Sequence, residues 1–319
     1  MNAALILIIS MISLLWAANH LVTGASDLAT RLHVSPFIIG LTLVAIGSTA
    51  PELILAVISF LKNKENHIVG NAIGINIANI GLVLGISILV KPITVTPINF
   101  KKNYPIIIIA MLFVYSLMLD GFLGKIDSCL FLIACISLII FFIYLANHSV
   151  QKDQLFHEFK NAISTTRPLK INLFSILLGL LVLPISTKYL VQSATELATW
   201  FGMSHLTIEL TLIAMSMTVP GLISALIAAI KGEEDLATGT ILGANIYSLL
   251  LILVFPTIIL PAKISNIILW HDLPVMLSLT LLLIFLNFYY KKQLSAWHGG
   301  ILLIIYCSYV ISLIIKAHT

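Results

Sequence analysis

Ile46-Gly-Ser-Thr-Ala-Pro-Glu-Leu-Ile-Leu-Ala56 sets two hydroxyls, a proline and a carboxylic acid inside an apolar run, Phe37 to Leu61, that holds no other charge. A run of that length crosses a bilayer and leaves Glu52 near its centre. A charge there costs about 2.5 kcal/mol or more unless something compensates it. Pro51 removes one helical hydrogen bond and clashes with the carbonyl four residues back, which frees the carbonyls around Gly47. Such carbonyls are tolerated only when buried in protein or facing a wet cavity. Carbonyl, hydroxyl and carboxylate oxygens at one depth are the ligand set of a hard cation. Ser48, Thr49 and Glu52 are therefore candidate cation ligands. The structural alternatives are a protonated Glu52 bonded to a neighbouring helix, and hydroxyls that only back-bond to helix carbonyls or pack helices.

The elements that must hold these groups follow from composition. The chain is 60% hydrophobic and only 9% charged, against about 25% charged for soluble domains. The expectation is an all-α integral membrane protein. No positive residue precedes the first apolar segment, no small-residue cleavage site follows it, and more spans come after, so it reads as a span and not as a cleaved leader. Ten transmembrane helices are expected, near 3–30, 35–61, 67–90, 104–119, 127–147, 171–199, 205–230, 236–260, 270–289 and 299–316. The first and sixth are long enough to tilt or project. The polar stretch His148 to Lys170 is expected to be a cytoplasmic linker between two five-span units, 1–147 and 171–319. With the N-terminus outside, eleven of the 17 cations fall inside, five fall outside, and Lys188 lies within a span. The positive-inside bias favours both termini outside. The net charge of +4 is thereby assigned to topology, not to nucleic acid. Cys129, Cys135 and Cys307 are scattered in apolar segments and read as small core residues.

The two units are related. His20 to Asn79 and Tyr189 to Ser248 align without a gap at an offset of 169, with 24 of 60 positions identical. Five spans is an odd number, so the second copy is expected to run inverted, the architecture of secondary transporters with ion sites at the midplane. Pro220 answers Pro51, with the carbonyl of Ser216 expected to be freed. Asn76 and Asn79 answer Asn245 and Ser248 at similar depth.

"GLTLVAIGSTAPEL" followed by "GNAIGINIAN" resembles the cation/calcium exchanger superfamily, and in particular the prokaryotic sodium/calcium exchangers, whose repeats read G-T-S-x-P-E-L and then G-N-x-x-G-S-N-I-x-N. The repeats cover about 120 of 319 residues. The resemblance implies ion ligands at Ser48, Thr49, Glu52 and Asn79, and in the second repeat at Thr218 and Ser248. It implies transported sodium, calcium or protons, no cofactor and no enzymatic reaction, and a prokaryotic inner membrane. The second repeat departs from the pattern. Gly221 stands where that family has its second glutamate, and Met217 where it has a hydroxyl. Ile75 and Ala244 replace the serines of G-S-N, and Ser248 replaces an acid or amide.

Calcium prefers 6–8 oxygens and usually more than one carboxylate. Beside Glu52 alone a dication leaves a net positive site, whereas a monovalent ion or proton leaves it neutral. The expected function is a secondary cation antiporter working by alternating access. A relative that kept the fold as a partner-binding or regulatory membrane protein is the alternative, motivated by the emptied repeat. Glu209, at the equivalent of Gly40, reads either as an outer gate or proton acceptor, or as an acid near the outer interface reaching water. Lys231, Glu233, Glu234 and Asp235 read as a solvated loop.

Overall fold

Apolar segments with almost no internal charge have one way to satisfy their backbone in a membrane, and the chain takes it. The computed structural model describes residues 2–32, 34–61, 65–94, 97–149, 168–201, 214–259, 261–289 and 293–318, and nearly all of them are helical. Glu209, the side chain of Met217 and most of the linker 148–170 lie outside the described residues. The helices are α1 (Asn2–Leu32), α2 (Pro36–Ile39), α3 (Ala45–Leu61), α4 (Glu65–Ala78), α5 (Gly85–Val90), α6 (Pro97–Met118) and α7 (Lys125–Ser149). After the linker come α8 (Leu169–Trp200), α9 (Ala214–Ile230), α10 (Glu234–Ile252), α11 (Val254–Ile259), α12 (Leu273–Tyr289) and α13 (Ala296–His318). Seven helical stretches of the described residues are long and apolar enough to cross a membrane, and three shorter apolar ones accompany them: Pro36–Ala50, Tyr104–Met118 and Thr218–Ile230.

The first and sixth expected spans are indeed long. α1 has 31 residues and α8 has 32, about 46–48 Å at 1.5 Å per residue. They pack along each other through small residues. A Cβ on Gly179 would meet Leu21 Cβ at 2.7 Å, and one on Gly24 would meet Ile176 Cγ1 at 2.9 Å. Glycine lets the two backbones approach where lipid supplies no hydrophobic drive. Large apolar side chains such as Ile9, Ile12, Leu177 and Ile185 stay exposed on these helices, as expected of a lipid-facing surface.

The centre belongs to the other helices. α10 is buried from Leu236 to Leu250. α4, which the offset of 169 carries onto the same region, is buried over most of Ile68 to Ala78. π-helical turns at Gly40–Val44, Asn79–Leu84 and Ile268–Asp272 join α2 to α3, join α4 to α5, and lead into α12. A short antiparallel pairing, Phe122 with Lys263 and Leu123 with Ala262, ties two loops. An isolated bridge joins Ile93 and Leu294.

Candidate functional site

The expected breaks at the prolines are not where the helices yield. α3 runs unbroken through Pro51 and α9 through Pro220. The irregularity comes earlier, in the π-helical turn Gly40–Val44, and again at Asn79–Leu84. A single extra residue in a turn rotates the helix that follows, and such turns are frequent at functional sites. Around Pro51 the hydroxyls attend to the backbone. Ser48 Oγ donates to the carbonyl of Ala45 and Thr49 Oγ1 to that of Ile46, both at 3.0 Å. A hydroxyl that donates its proton this way keeps its lone pairs free to face a cation. Back-bonding and ligation are thus compatible here.

Glu52, Ser48, Thr49, Asn79, Thr218 and Ser248 are all buried, none more than 4% exposed. Glu52 Oε2 is sealed from solvent and has no hydrogen-bond partner. A buried polar atom left in that condition calls for a reason. Asn79 Nδ2 donates to Asn245 Oδ1 at 2.9 Å, and Asn76 Nδ2 to Ser248 Oγ at 2.6 Å. The offset of 169 carries Asn79 onto Ser248 and Asn76 onto Asn245. Each bond is therefore the repeat image of the other, and the pair stitches α4 and its π-helical turn to α10. Asn76 Nδ2 also donates to the carbonyl of Ala72 at 2.9 Å. Asn76 Oδ1 and Asn245 Nδ2 remain sealed without partners.

The candidate ligands therefore divide. Asn79 and Ser248 come together in the cross-repeat cluster. Ser48, Thr49 and Glu52 stay on α3, which packs against α4 and α10. Thr218 is on α9, which packs against α3, α4 and α10. Gly221, the repeat-equivalent of Glu52, is half-buried, and a Cβ there would meet no heavy atom of the described residues within 4 Å. Among the described residues no three His, Cys, Asp or Glu side chains gather. The donor set is one carboxylate with hydroxyls, amides and carbonyls, suited to a hard cation of low charge.

The family described as sodium/calcium exchanger protein matches residues 2–149 and 171–315. The chain belongs to the sodium/calcium exchanger family. It is a multi-pass integral membrane cation antiporter, and members of this family are transporters, not enzymes. It is 36% identical over 309 residues to the putative antiporter CaxA of Alkalimonas amylolytica, covering 96% of this chain and 97% of that one. It is 32% identical over 282 residues to the inner membrane protein YrbG of Escherichia coli, covering 88% and 87%. Its fold is similar to a structure of the sodium–calcium exchanger NCX_Mj, with a TM-score of 0.83 and 25% identity over 98% of this chain and 99% of that one. Membership favours transport over the partner-binding alternative.

Sequence reasoning missed the work done by the charged loop. Residues 231–235 are not merely solvated. Lys231 Nζ donates to Thr23 Oγ1 at 2.5 Å, and Glu233 Oε1 accepts from Ser26 Oγ at 2.5 Å, both partners on α1. Glu234 accepts from the backbone N–H of Thr94 at 2.6 Å and from its hydroxyl. Gly232, at φ +84°, supplies the left-handed turn that starts this loop. The loop thereby ties α1 and the segment after α5 to the start of α10. Its partners are neutral and about 140 to 208 residues away, so no charge pattern announced them.

Proposed function

We propose that this antiporter binds its transported cation among Glu52, Ser48, Thr49 and Asn79, with Thr218 and Ser248 as weaker ligands from the second repeat. The sealed, partnerless Glu52 oxygen carries this reading. An acid held in that position without a protein partner is balanced by a cation or a proton. With Gly221 at the equivalent position, the site has a single carboxylate. The preferred cargo is monovalent, sodium or lithium, or a proton, and calcium is held weakly by the remaining carbonyl, hydroxyl and amide oxygens. Sodium/calcium exchange is the named activity of NCX_Mj, and it supports calcium as the second cargo here. The cations are cargo and no cofactor takes part.

The proposed topology is ten transmembrane helices in two inverted five-helix units, 1–147 and 171–319, joined by a cytoplasmic linker at 148–170. Both termini face outward from a prokaryotic inner membrane. The 169-residue repeat and its two exchangeable amide bonds support the inversion. YrbG's description as an inner membrane protein supports the location. Transport proceeds by alternating access around the fixed site. Purified protein in proteoliposomes, tested with sodium, lithium, potassium, calcium and proton gradients, decides the cargo. Flux coupled to a monovalent cation or proton, with calcium moved only at low affinity, is the expected result. Tight calcium uptake would overturn the single-carboxylate reading.

A further inference from the structure

Serine and threonine in these helices turn their hydroxyls to the carbonyl three or four residues back. Ser87 does so to Val83 at 2.8 Å, Thr187 to Leu183 at 2.8 Å and Thr280 to Met276 at 2.9 Å. Ser224 does not. It is 1% exposed, its Oγ is sealed from solvent, and it has no hydrogen-bond partner. A hydroxyl kept dry and unpaired in the middle of a membrane helix is costly, and the carbonyl that would relieve it lies one turn back on the same helix.

Its position gives the cost a purpose. Ser224 follows Gly221 by three residues, and Gly221 follows Thr218 by three. The three form a row along one face of α9, each step about 4.5 Å along the axis. At Gly221 no heavy atom of the described residues lies within 4 Å of an added Cβ. The offset of 169 pairs Gly221 with Glu52 and Ser224 with Leu55. The repeat without the acid thus has a hydroxyl that the repeat with the acid lacks. α9 packs against the π-helical turn that starts at Asn79 and against α3, so the helix that carries the row lies beside elements that carry the proposed ligands.

We infer that Ser224 is a further ligand of the transported cation, acting from the second repeat through the space at Gly221, and that it tunes the site toward small cations of low charge. This rests on the site reading given under the proposed function. A serine swings its oxygen between staggered positions at little cost. The Ser224 hydroxyl gains its missing partner when a cation, bare or with one water, occupies the space beside Gly221. A neutral oxygen in place of a second carboxylate contributes coordination without adding charge, which suits one positive charge better than two.

The test uses the purified full chain in detergent, followed by thermal unfolding while it is titrated with sodium, lithium or calcium chloride. Ser224→Ala is expected to raise the ion-free melting temperature, because an unpaired polar group is removed. It is also expected to weaken the apparent affinity for the preferred cation about fivefold, the effect of one hydrogen-bond-sized contact. Ser224→Thr, which keeps the hydroxyl, is expected to retain the affinity. If Ser224→Ala melts higher and binds every cation as the native chain does, the hydroxyl is an orphan and the inference fails. Glu52→Gln run in parallel separates the two levels. Lost binding there, with unchanged binding in Ser224→Ala, leaves the site reading intact and removes only Ser224. Unchanged binding in both removes the site reading as well.

Discussion

Gly239 and Gly243 correspond to Gly70 and Gly74 under the repeat offset, yet the two pairs have unlike surroundings. A Cβ on Gly239 would lie 2.2 Å from the carbonyl oxygen of Phe37, and one on Gly243 would lie 2.4 Å from that of Leu41. Gly40 closes the same seam from the other side, its Cβ direction meeting the carbonyl of Leu236 at 2.4 Å. At Gly70 the nearest atom is Ile268 Cδ1 at 3.6 Å, and at Gly74 no described atom lies within 4 Å. All three glycines of the first seam are buried, whereas Gly70 and Gly74 are half-buried. The residues that the offset sets opposite Gly70 and Gly74, 206 and 210, lie outside the described residues, so a seam packed on backbone stands against a glycine pair that no described backbone approaches.

The largest effect expected from breaking the equivalence is at Glu52, which the offset pairs with Gly221. Glu52→Gln keeps the shape and removes the charge. An uncompensated buried ion costs about 3–5 kcal/mol, so flux in proteoliposomes should fall at least about a hundredfold. The variant should remain folded by size-exclusion chromatography and thermal melting. Full flux from the Gln variant would put the cation elsewhere.

Much of this was legible in the sequence, for a physical reason. Apolar length has one reading in a bilayer, and the acid at Glu52 is conspicuous because nothing else in Phe37 to Leu61 is charged. The repeat offset then located the counterpart of each candidate. Two features were illegible. Helical π turns leave no composition signature, so the irregularity was assigned to Pro51 and Pro220, whereas it lies at Gly40–Val44 and Asn79–Leu84. The second feature was pairing by neutral groups. Asn79 with Asn245, and Ser26 with Glu233, join positions 166 and 207 residues apart without charge complementarity. Ser224 was equally silent, since a lone serine in an apolar helix ordinarily satisfies itself one turn back.

The glycine seams give the second test. Gly239→Ala and Gly243→Ala drive a methyl group into backbone oxygens that cannot swing away, which should cost about 1–3 kcal/mol or force the seam apart. Gly70→Ala and Gly74→Ala meet no such obstacle among the described residues, and alanine is the better helix former by up to about 1 kcal/mol. Melting temperatures should therefore fall for the first pair and hold or rise for the second. Equal losses at both would mean that the two seams are packed alike.

Restoring the missing acid sharpens the contrast at the site itself. No described atom obstructs a side chain at Gly221, so Gly221→Glu should fold. A carboxylate–cation contact is worth a few kcal/mol even at an effective dielectric of 20, and desolvating the new acid consumes part of it. A gain in calcium affinity of about tenfold, near 1.4 kcal/mol, is expected by calorimetry. Met217→Thr in combination should help if crowding limits the single variant. Tight calcium binding by the native chain, with no gain in either variant, would show that other groups already balance the second charge.

The smallest effect expected is at the loop that fastens the closed seam. Glu233 accepts from Ser26 on α1, immediately after a turn that Gly232 makes possible and just before α10 carries Gly239 and Gly243 into the seam. The repeat equivalents of Glu233 and Ser26 are Lys64 and Thr195. A lysine has no acceptor for a hydroxyl proton, so this bond is available at one end of the molecule only. Glu233→Lys places at this loop the residue that its repeat image carries. The bond is partly exposed and modest in strength, so the seam should still close, but less often. Hydrogen exchange over residues 36–41 and 236–243 should quicken about fivefold, as expected when one hydrogen bond to a charged acceptor near the surface is lost. The segment flanking Gly179 on α8 should be unaffected, because it is packed on Leu21 and Ala17 of α1, away from Ser26. Unchanged exchange in the seam would mean that the glycine contacts alone hold it shut and that the loop only rests on α1.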